Sequence, residues 1–203
     1  TLAGGVSWRE ALLVAFVIYV LVLEVAVPSR HSVHAAAFTL AGYLYVPFLL
    51  GYVVTLRYTP DGHLGLWFLG IPLLSAIATD VGAFTLGSLF GRTPLAPQVS
   101  PRKTVEGALG GLLFALVIVA GTALLARRVV GLELGVGTVV ALTLVTSLAA
   151  QLGDLFESLL KRWAGVKDAG VFLPGHGGVL DRLDSLLFTF PVSYLFVTVF
   201  VVP

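Results

Sequence analysis

The sequence contains no cysteine and no methionine, and few of its 203 residues are charged. Without cysteine there is no disulfide, no thiolate nucleophile and no thiolate metal site, and the redox compartment leaves no trace. Methionine is missing even from the first position, so further residues are expected upstream of Thr1. Charged residues make up 11% of the chain, against roughly 25% in an ordinary soluble domain. The 12 basic and 11 acidic residues nearly cancel and form no acidic or basic tail, so no nucleic-acid partner is expected. Also missing are a Walker A loop, HExxH, GxSxG and a dinucleotide-binding fingerprint.

What fills the chain instead is apolar: 58% of residues are hydrophobic and the mean hydropathy is +1.01. Apolar runs at 8–27, 34–56, 64–90, 104–126, 136–160 and 183–202 are each near the ~20 residues that a helix needs to cross a bilayer. None alternates with a strand period, which argues against a barrel. The expected fold is therefore all-α, a polytopic integral membrane helical bundle of about six spans with a polar pocket facing the cytoplasm. Residues 1–63 read as N-terminal transmembrane helices and 64–203 as the region carrying the chemistry, not an independently folding second domain. Gly107 with Gly111 and Gly131 with Gly135 have the GxxxG spacing, read as ordinary helix packing.

Six crossings put the connections at 28–33, 91–103 and 161–182 on one face of the membrane. That face carries eight of the twelve Lys and Arg residues, which predicts that it is cytoplasmic.

Several charges lie where lipid alone would not tolerate them. Asp80 sits well inside the third run, where an ionised carboxylate costs roughly 2.5–3.5 kcal/mol on insertion scales, so a cation, a ligand or a basic partner is expected beside it. Glu24, near a span end, reaches the headgroups by snorkelling. Ser147, Gln151, Asp154, Ser158 and Lys161 recur at steps of three or four and so form one polar stripe on the fifth helix, flanked by Glu157 and Arg162. Such a stripe lines an aqueous pocket. The following stretch, KDAGVFLPGHGGVLDRLD at 167–184, cannot continue a helix, and its glycines let backbone N–H groups approach a phosphate. On the same face, Ser100 and Pro101 read as the N-cap and first position of a helix, with Arg102 and Lys103 in its first turn. Cations there oppose the helix dipole unless an anion binds.

Acids for a hard cation, bases for phosphates and a glycine-rich loop are the parts of metal-bridged phosphate chemistry. His176 reads equally as a metal ligand, an acid/base group or a structural side chain.

Residues 158–184, SLLKRWAGVKDAGVFLPGHGGVLDRLD, resemble the signature of the phosphatidate cytidylyltransferases, or CDP-diacylglycerol synthases. The resemblance rests on Ser158, Lys161, Arg162, Lys167, Asp168, Pro174, His176, Gly177, Gly178, Asp181, Arg182 and Asp184. The segments around Asp80, at 100–107 and at Gly153-Asp154 are similar to family segments as well. The resemblance implies transfer of a cytidylyl group from CTP to phosphatidic acid in a bacterial inner membrane or an organelle, with a homodimer as the family expectation. It also implies Asp154 and Asp181 as the principal ligands of Mg²⁺, with a second cation possible. Lys161, Arg162, Lys167 and Arg182 would meet the CTP phosphates, and Ser100, Arg102 and Lys103 a phosphatidate or nucleotide phosphate. Asp80, Asp168, His176 and Asp184 would complete the pocket, with Ser158, Gly177 and Gly178 binding substrate. The competing readings are a cation-coupled transporter with a midplane ion site at Asp80 and Asp154, and another CTP-dependent lipid transferase or kinase.

Overall fold

The computed structural model describes residues 7–26, 33–170 and 178–202. Two compact units make up the chain, Thr1–Tyr52 and Val53–Pro203.

In the first unit α1 spans Trp8–Ala26 and α2 spans Val33–Tyr43, followed by a π-helical turn at Leu44–Phe48 that contains Pro47. Proline lacks the N–H of a regular helix and clashes with the preceding turn, which accounts for the wider ring there. The Arg9 guanidinium lies over the Tyr52 ring at 3.3 Å and donates to the Phe48 carbonyl at 3.0 Å, while Phe16 stacks on Tyr43.

The second unit holds α3 (Tyr52–Arg57 from the boundary), α4 (Leu64–Phe90), a hairpin of β1 (Pro94–Ala96) and β2 (Ser100–Thr104), α5 (Val105–Val130), α6 (Val136–Trp163) and α7 (Leu180–Phe200). Asp61 sets the start of α4, its Oδ1 accepting from the His63 and Leu64 amides at 2.8 and 2.9 Å. Five helical stretches are long and apolar enough to cross a bilayer: 33–57 and α4 to α7. α1, the sixth predicted span, has 19 residues and carries Arg9, Glu10 and Glu24.

The all-α expectation holds apart from the hairpin, and the hairpin is a correction. Ser100 does not cap a helix, and Arg102 and Lys103 are not in a first turn, because 100–104 pairs antiparallel with 94–96. The true N-cap is Thr104, whose hydroxyl accepts from the Gly107 amide at 3.1 Å. Glu106 then reaches back from the first turn of α5, accepting from the Arg92 and Thr93 amides at 3.0 and 3.1 Å and from the Thr93 hydroxyl at 2.9 Å. An acid thus stands at the positive end of the helix, where the macrodipole favours it, and no bound anion is needed to explain the start of α5.

α4 and α5 pack through a seam of glycines. A Cβ on Gly110 would fall 2.5 Å from the Leu86 Cβ and 2.9 Å from the Gly82 carbonyl, and one on Gly111 2.6 Å from the Thr79 carbonyl. Of the two predicted GxxxG pairs, Gly107 and Gly111 belong to this seam, whereas Gly131 ends α5 with φ 70° and Gly135 caps α6. Toward the far end of these helices from the hairpin, Ile71, Val119, Ala123, Val139 and Leu142 form an apolar cluster. Hydroxyls cross between α4 and α6: Ser75 and Thr146 share a hydrogen bond of 2.8 Å, and Thr79 donates to Ser147 at 2.9 Å.

The seam makes a prediction. Gly110→Ala is expected to destabilise the fold by about 1–3 kcal/mol through overpacking. Gly121→Ala on the same helix, which meets nothing within 4 Å, is expected to be neutral or stabilising. Denaturant unfolding in detergent micelles, followed by circular dichroism, checks both.

Candidate active site

The ends of α4, α5, α6 and α7 that meet near the hairpin carry most of the predicted polar residues. The α6 stripe divides into three parts. Ser147 is fully buried and serves helix packing through Thr79, so the pocket-lining expectation fails for this residue. Gln151 donates to the Ala108 carbonyl of α5 at 3.3 Å, and Asp154 pairs with Lys103 of β2 at 2.7 Å. One turn and two turns further along lie Ser158 and Lys161.

Lys161 is held between two carboxylates. Its Nζ lies 2.7 Å from Asp181 Oδ1 and also forms an ion pair with Glu157, a turn back on α6, which has no exposed surface. The second oxygen of Asp181 accepts from the Gly178 and Ala169 amides at 2.7 and 2.9 Å. One carboxylate near the start of α7 therefore binds α6 and both sides of the connection between 169 and 178.

Asp80, Asp154 and Asp184 form the other charged group. Asp80 feels the charges of Asp154, Asp184 and Lys103. Asp184 is buried, and its Oδ1 accepts from the Ser185 amide at 2.6 Å. α6 and α7 approach so closely here that a Cβ on Gly153 would overlap the Asp184 carbonyl.

Two cavities open beside these groups. One, of about 400 Å³, is lined by Ser100, Ser158, Lys161, Arg162 and Lys167. The other, of about 510 Å³, is lined by Asp80, Phe84, Leu95, Arg102, Lys103 and Asp154 among mainly apolar neighbours. Asp168 and Arg182 are exposed and line neither of these cavities. His176, Gly177 and Pro174 lie outside the described residues.

Against known proteins, residues 3–200 match the cytidylyltransferase family. The chain belongs to that family. Phosphatidate cytidylyltransferase of Bacillus subtilis (strain 168) is 37% identical over 198 residues, covering 98% of this chain and 71% of the relative. The proteins of the same name from Staphylococcus epidermidis and Staphylococcus saprophyticus are each 38% identical, over 180 and 190 residues. They are matched along 89 and 92% of this chain and 66 and 70% of their own length.

In this cytidylyltransferase Asp154 and Asp184 both act electrostatically on Asp80, with Lys103 the cation opposing them. Among the described residues, however, no three His, Asp or Glu side chains converge at ligand spacing. Asp181 is not presented to a metal in this arrangement, since Lys161 and two amides occupy its oxygens.

In the sequence Glu157 flanks the stripe and suits i, i+4 pairing with Lys161 at a solvated helix end, and the structure forms that pair with Glu157 buried. Its spacing of four from Lys161 was the available signal, but nothing local showed that it is buried or that Asp181 shares its lysine. Removing one partner of such a buried group leaves an uncompensated charge, so Lys161→Met is expected to destabilise the protein by about 3 kcal/mol. Adding Glu157→Gln to it is expected to restore a large part of that loss. A double-mutant cycle by chemical denaturation in detergent tests this coupling.

Proposed function

We propose that the chain transfers the cytidylyl group of CTP to phosphatidic acid, giving CDP-diacylglycerol and pyrophosphate. The observation that carries this reading is the pair of cavities at one end of an apolar bundle, one lined by three cations and the other by carboxylates and apolar side chains. Family membership and the names of the relatives support the same reaction.

A phosphatidate oxygen is already anionic and needs little base catalysis. The barrier is bringing it onto the α-phosphorus of CTP, which is surrounded by like charge, so neutralisation and alignment are the main tasks. Lys161, Arg162 and Lys167 offset the charge of the triphosphate. As the lipid oxygen bonds to the α-phosphorus, the bond to the β-phosphate breaks, and the same cations stabilise the departing pyrophosphate. Magnesium bound here would supply further positive charge to the phosphate oxygens, with Asp154 its first ligand and a second cation accommodated by the neighbouring acids. Asp181 would be a further ligand only if Lys161 turned from it to a phosphate. The surplus of Lys and Arg on this face supports a cytoplasmic orientation, and the bacterial relatives support a bacterial membrane as its location.

Purified protein in mixed micelles with labelled CTP, phosphatidic acid and Mg²⁺ is expected to yield a labelled liponucleotide, and chelation to abolish it. A folded chain that gives no Mg²⁺-dependent product overturns the proposal. Asp154→Asn is expected to lower kcat by about 100-fold or more, measured in the same assay with circular dichroism confirming the fold.

A further inference from the structure

Lysines stand against both Asp154 and Asp181, but they are held differently. Lys161 Nζ donates a hydrogen bond to Asp181 Oδ1 at 2.7 Å. Lys103 Nζ lies equally close to Asp154 Oδ2, at 2.7 Å, yet among the described residues it completes no hydrogen bond, although the nitrogen is buried. An ammonium carries three donors and is ordinarily hydrogen-bonded once it is taken out of water. Lys103 is therefore held at Asp154 by charge alone, with its donors unmet.

The surroundings explain why a cation stands there. Asp80 feels both Asp154 and Asp184, Asp184 feels Asp154, and Lys103 opposes the first two at Asp80. Acids grouped at the end of an apolar bundle need positive charge beside them, and Lys103 is the basic side chain that reaches Asp154. The cavity of about 510 Å³ that Asp80, Lys103 and Asp154 line together leaves room for a small hydrated ion. Mg²⁺ keeps several waters and is held by one or two carboxylates, so it does not require the three converging ligands that are lacking among the described residues. Such an ion and the lysine exclude one another, because two cations on one part-buried carboxylate repel strongly at that separation.

Lys103 is also free to leave. Its neighbour Thr104 is fixed as the N-cap of α5, and Glu106 grips the base of the hairpin, so the side chain can swing without loss of either anchor. What its departure removes is a tie between β2 and α6. The other described polar contact between the hairpin and α6, from Arg162 Nε to the Val99 carbonyl, is exposed and 3.4 Å long.

We propose that Lys103 is an internal counter-cation that holds the place of a divalent ion at Asp154, and that its displacement by the ion unties the hairpin from α6. Hairpin mobility then follows occupancy of the site. This inference rests on Asp154 as the cation ligand of the transfer reading and adds what neutralises that ligand beforehand.

Titration of Mn²⁺ into the purified protein in detergent, without either substrate and with the free ion counted by electron paramagnetic resonance, tests the exchange. Lys103→Gln is expected to tighten Mn²⁺ binding about tenfold by removing the competing charge, and Lys103→Arg, which keeps the charge, to remain within about twofold of the wild type. Asp154→Asn added to Lys103→Gln is expected to abolish the gain. In the wild type, saturating Mg²⁺ alone is expected to speed amide hydrogen exchange several-fold across 94–104 and to leave α5 unchanged. Mn²⁺ binding that is unchanged or weaker in Lys103→Gln overturns the proposal. Hairpin exchange that Mg²⁺ leaves unchanged or slows in the wild type overturns it as well, and that measurement needs no variant to fold. The assay for liponucleotide separates this inference from the reaction. Tighter Mn²⁺ binding in Lys103→Gln by a chain that makes no product overturns the transfer and retains the exchange; unchanged Mn²⁺ binding beside Mg²⁺-dependent product overturns the exchange and retains the transfer.

Discussion

The ammonium of Lys161, held between Glu157 and Asp181, is the interaction on which the rest of the site depends. Glu157 is buried in a helix crossing an apolar phase, where an uncompensated carboxylate costs several kilocalories per mole. Such a group contributes little net stability, but the loss of any one member is expensive, so its geometry is strongly enforced. Lys161 ties α6 to α7, and the other oxygen of Asp181 collects the amides of Ala169 and Gly178. The connection between the two helices is thereby closed at its neck by a single carboxylate. The lysine that performs this closure is also on the wall of the basic cavity, so the cavity and the loop anchor draw on the same charge.

Deeper in the bundle, close approach replaces charge. Glycines let α4 and α5 come near enough for backbone to meet backbone, and hydroxyls on α4 and α6 pair with one another. Packing and short hydrogen bonds are what hold helices together in lipid, where burial of apolar surface offers no gain. The helix packed in this way carries Asp80 and the exposed Phe84.

Much of this was legible in the sequence. The helices from 64 onward follow from apolar runs to within a few residues at each end, and α4 begins and ends where the composition changes. The division of polar residues between 147 and 161 was visible as a stripe because a helix repeats every 3.6 residues. Its depth was not visible. Ser147 and Asp154 have the same spacing on paper, but the first faces Thr79 and the second a cavity, which only the partner helix decides. The hairpin was misread for a related reason. Ser100-Pro101 carries the local signature of a helix start, and strand pairing with 94–96 overrides it with the help of Glu106, fourteen residues from Arg92. The spacing of Glu157 and Lys161 shows their pairing, but not the burial of Glu157 or the sharing of its lysine with Asp181, twenty-four positions away in sequence.

The hairpin is secured at its base by Glu106 and along its length by Lys103 and Arg162, and the last of these contacts is to a main-chain carbonyl. Its turn, at Pro97 and Gln98, is exposed and is closed by a backbone bond from Val99 to Ala96. Side-chain identity at the turn is therefore largely unconstrained. In a chain without a single thiol, a cysteine placed at Gln98 would be a unique attachment point for a fluorophore or spin label. The protein thus comes with an address for reporting on its own site, a few residues from both cavities and outside the apolar bundle.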